Sequence, residues 1–397
     1  MEIPKIQDIH VSGKRVIVRV DFNVSLTADN EIANDKRIRE ALPTIEYLIA
    51  HGAIVILLSH LGRPKGEADP SLSLSGVSKR LSKLLKKDIF FIDSYLEDEA
   101  VSDIRALPPG SVVLCENIRF QKGEELNDPV FAKKLSRLGD IYVNDAFGAA
   151  HRTHASTVGI TAYLPSYAGL LFAREIEMIS HAVKEPERPL LVIIGGGKTP
   201  EKIRVIDKLL EVADTIYLGG AIANTFFATW GIGVGVSKVD YEMIEMARSV
   251  LWKATRVPSR LLLPSDVVVS NIERTTKPMV FPYDKVPMGM GIYDVGPVAR
   301  TELRTIIRGA KTIIWNGPLG LYEDARFSIG TRQACEDIAG TECRSIVGGG
   351  DTISTITDSA ILSKISLIST GGGAMLEFIE KGTLPTIETL KNGLHVS

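Results

Sequence analysis

The chain has 397 residues, 45% of them hydrophobic, and a formal net charge of -2. That length exceeds what one hydrophobic core usually organises, so two domains are expected. The near-neutral charge excludes a broad electrostatic footprint for nucleic acid or an anionic membrane. Cys115, Cys335 and Cys343 show no CxxC spacing, which argues against a disulfide framework or zinc site and for a reducing compartment. The amino-terminal MEIPKIQDIHVSGKR lacks the apolar stretch of a signal peptide, and no apolar run approaches the roughly 18 residues of a membrane span. A cytoplasmic chain without membrane or nucleic-acid partners is expected.

In chain order, the apolar runs are RVIVRV at 15–20, AIVILLS at 53–59, SVVLC at 111–115, DIYV at 140–143 and PLLVII at 189–194. TIYLG at 215–219, KTIIW at 311–315, SIV at 345–347 and ISLIS at 365–369 follow. Near-continuous Ile and Val predict strands covered on both faces. The intervening stretches read as helices. Val77, Leu81, Leu84 and Leu85 share a face, and Asp128 caps a helix begun by Pro129 and stopped by Gly139. Tyr163 to Lys184 reads as one helix. Thr199 and Pro200 open another, with Ile203, Ile206, Leu209, Leu210 and Ala213 inward. Strand and helix in alternation predict parallel α/β sheets with right-handed crossovers.

The predicted strands end in two ways. Up to residue 150 they end in polar groups: Arg19-Val20-Asp21-Phe22-Asn23, Ser59-His60-Leu61-Gly62-Arg63, Glu116-Asn117-Ile118-Arg119 and Asn144-Asp145. From residue 190 they end in glycines: 195–197, Gly219-Gly220, 348–350 and 371–373. Ligands of open parallel sheets sit at the carboxyl ends of strands, so two kinds of end predict two kinds of site.

Gly195-Gly196-Gly197-Lys198-Thr199-Pro200-Glu201-Lys202 joins an apolar strand to a helix start, where backbone N–H groups and two ammonium groups suit phosphate. It is neither GxxxxGK[ST] nor GxGxxG. The same run also suits a plain tight turn with two solvated lysines, and by itself leaves both readings open. Asp351, in GGGDT at 348–352, is placed to hold Mg²⁺ that bridges phosphates, or simply to cap a helix. Trp315-Asn316-Gly317-Pro318-Leu319-Gly320, with Glu323, offers nucleotide contacts or a plain turn. In the first half, Arg19, Arg37, Arg63, Arg119 and Arg152 recur near strand ends with His60 and His151, and converging arginines would hold a small multiply charged acid.

Taken together, RVDFNV at 19–24, NDKRIREALPTI at 34–45, SHLGRP at 59–64, ENIRF at 116–120 and VNDAFGAAHRTHAST at 143–157 resemble the phosphoglycerate kinase family. GGGKTPEKI at 195–203, WNGPLG at 315–320, GGGDT and STGGGA at 369–374 continue the resemblance in order across nearly the whole chain. The resemblance implies two Rossmann-like three-layer α/β domains with parallel sheets: a 3-phosphoglycerate domain at 1–165, a hinge helix at 166–187 and a nucleotide domain at 188–379. A tail from about 380 to 397 would return to the first domain. It implies reversible phosphoryl transfer from 1,3-bisphosphoglycerate to ADP, with Mg²⁺ accompanying the nucleotide, in a monomer.

Carried over by position, Asp21, Asn23, Arg37, His60, Arg63, Arg119 and Arg152 would hold the glycerate. Lys198, Lys202, Gly219, Gly220, Asn316, Pro318, Glu323, Gly349, Gly350, Asp351 and Thr352 would hold the nucleotide, with Asp351 on the metal. Arg37, Lys198 and Lys202 would be catalytic, and Gly371, Gly372 and Gly373 would stabilise the phosphoryl group. The chain departs from the family pattern at Ile292, where a glycine is usual, and in the proline of GGGKTPEK.

Overall fold

The computed structural model describes residues 3–27, 29–197, 199–355 and 358–393. Chain contacts separate two compact units, Met1–Glu177 with Thr383–Ser397, and Met178–Gly382. The division falls inside the helix Leu170–Lys184.

The first unit is built on β1 (Arg15–Arg19), β2 (Ile54–Leu58), β3 (Phe90–Ile92), β4 (Val112–Cys115), β5 (Ile141–Asn144) and β6 (Ser166–Ala168). They form one parallel sheet in the order β3-β4-β2-β1-β5-β6. Alternate residues of each central strand enter opposite cores. Val16 and Val18 of β1 join Val55, Leu57 and Val143 in one, and Ile17 joins Ile56, Val113 and Tyr142 in the other. Burial on both faces explains why these strands read as unbroken apolar runs. The carboxyl-terminal helix Pro385–Asn392 belongs to this unit, with Thr386 N–H donating to the Ala150 carbonyl at 3.3 Å.

The second unit contains β7 (Leu190–Ile194), β8 (Thr215–Leu218), β9 (Arg260–Leu262), β10 (Asp266–Ser270), β11 (Met279–Pro282) and β12 (Gly291–Val295), then β13 (Thr312–Asn316), β14 (Arg344–Gly348) and β15 (Leu367–Ile368). Six form a parallel sheet in the order β15-β14-β13-β7-β8-β9. The chain runs outward from β7 on one side and from β13 on the other, so the strand order reverses between these two neighbours, the position where such sheets bind ligands.

Several elements differ from the sequence reading. β10, β11 and β12 form a small antiparallel sheet in the order β11-β10-β12 that was not expected. β11 is largely exposed and β12, GIYDV, mixes apolar with polar residues, so neither presents a clear period. The stretch expected to be one helix from Tyr163 holds β6 first, and the helix starts at Leu170. Asp145 marks that start by accepting the N–H groups of Leu171 at 3.0 Å and Phe172 at 3.2 Å. The helix begun at Pro129 ends at Ser136, and Asp128 caps it by accepting Phe131 N–H at 2.9 Å.

Candidate active site

In the first unit, the four polar-ended strands lie side by side as β4-β2-β1-β5. Their ends and the loops after them hold the arginine cluster. Arg19, 1% exposed, donates from Nε to Ser156 Oγ at 2.8 Å and lies 3.2 Å from His60 Nδ1 through Nη2. Asp21 is paired with Arg37 and accepts Asn23 N–H at 3.1 Å. Asn23 Oδ1 takes the Gly62 N–H at 2.9 Å, and Arg119 Nη1 donates to the Gly62 carbonyl at 2.8 Å. These bonds fix the SHLGR loop from two sides.

The concentration of positive charge is visible in the titrating groups. His60 lies well below the usual imidazole range because of burial first, then the charges of Arg19, Arg119, Arg152 and Arg37. Burial, with Arg152 next, brings Arg119 down to about 10. Burial also lowers Arg152, whose surroundings include Asp21, Arg19 and the exposed Arg63. Asp21, Asn23, Arg37, His60, Arg63, Arg119 and Arg152 are thus brought into one basic cluster. An excess of guanidinium groups over carboxylates there suits a multiply charged anion.

Other polar ends serve the fold. Glu116 accepts Leu74 N–H at 2.8 Å and Asn117 N–H at 2.6 Å, and Asn117 donates to the Leu61 carbonyl at 2.8 Å. Asn144 bonds Tyr142 and Ala146, next to the helix-capping Asp145. Sequence reasoning did not single out Glu124, His154 and Ser156, which lie against Arg19 and each other. Glu124 stands in an ordinary charged stretch, KGEE, so nothing in the sequence signals its complete burial.

In the second unit, the ends of β7 and β13 interlock through backbone. Gly195 N–H donates to the Asn316 carbonyl at 2.9 Å, and Gly196 N–H to the Pro318 carbonyl at 2.7 Å. Lys202, 6% exposed, donates from Nζ to the Gly195 carbonyl. A Cβ on Gly317, where φ is +92°, would stand 2.6 Å from this ammonium nitrogen. Only glycines let the buried charge sit directly under two turns.

Thr352 Oγ1 accepts Gly317 N–H at 3.0 Å, Asn316 donates to the Gly372 carbonyl at 3.2 Å, and a Cβ on Gly372 would meet the Gly349 backbone at 2.7 Å. Gly219 packs under Leu319, while Gly350 and Gly373 face open space. Gly371 precedes the helix Gly372–Lys381 and accepts Met375 N–H at 2.6 Å.

Beside these turns lies a cavity of about 430 Å³, lined among others by Gly220, Pro318, Glu323 and Asp351 from the sequence-named residues. Its walls also include Phe227, Asn224, Lys238 and Tyr293, which no motif marked. Ile292 reaches this lining too, so the departure from the family glycine falls on the cavity wall. Tyr322 donates to Asp351 Oδ1 at 3.1 Å, and burial followed by the Asp351 carboxylate raises its phenol to about 12. Lys198 lies outside the described residues.

Among the described residues there is no group of three or more metal-ligating side chains. Asp351 and Glu323, both on the cavity lining, fit Mg²⁺, which commonly takes one or two carboxylates and completes its shell with waters and substrate phosphates. No helix among the described residues is long and apolar enough to cross a membrane.

The family model described as phosphoglycerate kinase matches residues 6–382. The chain belongs to the phosphoglycerate kinase family. It is 47% identical over 397 residues to the phosphoglycerate kinase of Thermosipho africanus, covering 99% of this chain and 98% of that one. It is 43% identical over 390 residues to that of Coprothermobacter proteolyticus, at 98% and 99% coverage. Among solved structures, phosphoglycerate kinase from Coxiella burnetii superposes with a TM-score of 0.86 at 38% identity, covering 98% of this chain and 99% of the other. The Pyrococcus horikoshii enzyme superposes at 0.85 with 30% identity, covering 98% of each chain. Family membership therefore rests on full-length similarity in both sequence and fold.

Proposed function

We propose that the chain catalyses reversible phosphoryl transfer from 1,3-bisphosphoglycerate to ADP, giving 3-phosphoglycerate and ATP. The observation that carries this reading is the pairing, in one member of the family, of an arginine-rich cluster on one unit with a glycine-walled cavity of about 430 Å³ on the other. Arg37, Arg63, Arg119 and Arg152 bind the carboxylate and phosphate of the glycerate, with His60 as a neutral donor and Asp21 and Asn23 holding the loop and Arg37 in place. Gly220, Pro318 and Glu323 contact the nucleotide, while Gly219, Asn316, Gly349, Gly350 and Thr352 shape the turns around its phosphates.

The attacking oxygen, a nucleotide phosphate or a glycerate carboxylate, is already ionised. No general base is needed, and catalysis consists of alignment and neutralisation of charge. Arg37 and Lys198 stabilise the phosphoryl group in transit, Lys202 holds positive charge under the turns, and the glycines at 371–373 present backbone N–H groups to it. Asp351 would hold Mg²⁺, which supplies charge neutralisation on the nucleotide phosphates. With the two substrates on separate units, transfer requires closure, which also excludes the water that would hydrolyse an acyl phosphate.

An assay of 3-phosphoglycerate and ATP coupled to NADH oxidation tests the reading directly. Turnover there and not with acetate is expected; activity with acetate alone would overturn it. We also propose a cytoplasmic monomer, for which sedimentation should give the mass of a single chain.

A further inference from the structure

Behind the arginine cluster runs a line of four side chains, none more than 2% exposed. Glu124 accepts the Ser156 hydroxyl at Oε1 at 2.6 Å and the Ser156 N–H at Oε2 at 2.9 Å. Ser156 Oγ accepts Arg19 Nε–H at 2.8 Å. Arg19 Nη2 then lies 3.2 Å from His60 Nδ1. A guanidinium has donors and no acceptor, so the Nδ1 of His60 must be the accepting nitrogen. The ring proton of neutral His60 consequently sits on Nε2.

The charges explain why such a line is needed. A buried guanidinium left without a counter-charge is strongly destabilising. Asp21 is engaged by Arg37, and Glu125, 45% exposed, lies 3.2 Å from Arg119. Glu124 is the fully buried carboxylate in contact with this cluster, and it meets Arg19 through a single hydroxyl. Its other neighbour, His154, approaches to 3.7 Å.

We propose that Glu124 is a positioning residue of the anion cluster: through Ser156 it fixes Arg19, and Arg19 fixes His60 as the Nε2–H tautomer, a neutral donor to the bound acid. The final clause rests on reading the cluster as the glycerate site; the tautomer itself does not.

The test uses the full chain labelled with ¹⁵N-histidine, with the His60 signal assigned by its loss in His60→Gln. In the parent, Nδ1 should resonate as an unprotonated nitrogen and Nε2 as a protonated one. In Ser156→Ala and Glu124→Gln that signature should collapse toward a tautomer mixture. Loss of one charged hydrogen bond should raise KM for 3-phosphoglycerate about tenfold, with KM for ATP unchanged within twofold. A parent His60 protonated on Nδ1 would overturn the proposal. So would variants that leave the signature intact, or that raise both KM values alike. If Glu124→Gln does not fold, Ser156→Ala decides, because it deletes one hydroxyl and keeps the Ser156 N–H on Glu124. A parent inactive toward 3-phosphoglycerate would defeat the functional reading and leave the His60 signature to decide the relay.

Discussion

Each unit is built on its own six-stranded parallel sheet, yet the two furnish their strand ends by opposite means. In the first, positive charge comes from side chains: guanidinium groups held by carboxylates, hydroxyls and loop carbonyls. In the second, the buried Lys202 and the cavity-lining Lys238 supply it, against turns whose glycines leave no room for side chains. A site made of side chains is damaged by removal, and a site made of backbone is damaged by addition. The same fold therefore carries two opposite mutational sensitivities.

The largest effects should come from removing the charges proposed to act on the transferred group. Arg37→Ala is expected to cut kcat by about 10²–10³-fold, the scale of losing one transition-state donor. Its side chain is 34% exposed, so the melting temperature should hardly move. Lys202→Ala should cost a similar factor but raise KM for ATP instead of KM for 3-phosphoglycerate. Steady-state kinetics on both substrates would break the comparison if the two variants affected the same KM.

Addition is the next largest effect. Gly317→Ala forces a side chain to a φ of +92° and drives its Cβ onto the Gly195 carbonyl oxygen, 2.6 Å from Lys202 Nζ. Strain on the order of 1–3 kcal/mol is expected in the turn, with nucleotide affinity falling by about tenfold or more. Gly13→Ala is the control: φ there is +69° and a Cβ would meet nothing within 4 Å. Calorimetric titration with nucleotide should separate the two, since only Gly317→Ala combines strain with contact at the site.

Charge removal and charge gain can also be compared by pH. Burial first, then Arg119, Arg152 and Arg19, lowers His154 to about 4 from an ordinary 6.5. A histidine with a depressed pKa binds fewer protons folded than unfolded, so its stabilising contribution is present above 6.5 and lost as pH falls through about 4. His154 is 14% exposed, and the loss is on the order of 2 kcal/mol. His154→Gln should flatten the decline in urea-midpoint stability across that window. Asp294 in the second unit behaves oppositely. Burial raises it to about 7, so its contribution is full below the ordinary 3.8 and is lost as pH rises through about 7.

The different origins of the two sites also decide what the sequence discloses. The runs at 15–20 and 189–194 mark their strands because burial on both faces leaves no polar position within them. Glycine clusters and arginines beside such runs are equally visible. Glu124 is not, because its importance lies in being enclosed by residues 30 or so positions away, such as Ser156 at a separation of 32. Phe227 and Lys238 reach the cavity from a helix and the loop beyond it, where their neighbours in sequence are ordinary apolar and turn residues. The antiparallel sheet is hidden for a related reason: β11 is exposed and β12 packs through a bulged register.

The smallest expected effect examines Asp351, one of the carboxylates on the cavity of the second unit. Asp351 stands on the cavity lining with its Oδ1 taking the Tyr322 hydroxyl at 3.1 Å. That bond restricts how the carboxylate turns without itself supplying charge to the substrate. Tyr322→Phe keeps the ring and removes the bond. If Asp351 serves the metal, the concentration of free Mg²⁺ needed for half-maximal nucleotide binding should rise about fivefold, as for the loss of roughly 1 kcal/mol of orientation. Metal-free nucleotide binding should be unchanged, and so should KM for 3-phosphoglycerate. A loss of the same size with and without Mg²⁺ would instead mean that Tyr322, which itself lines the cavity, acts on the nucleotide directly, and would return Asp351 to a role in the turn.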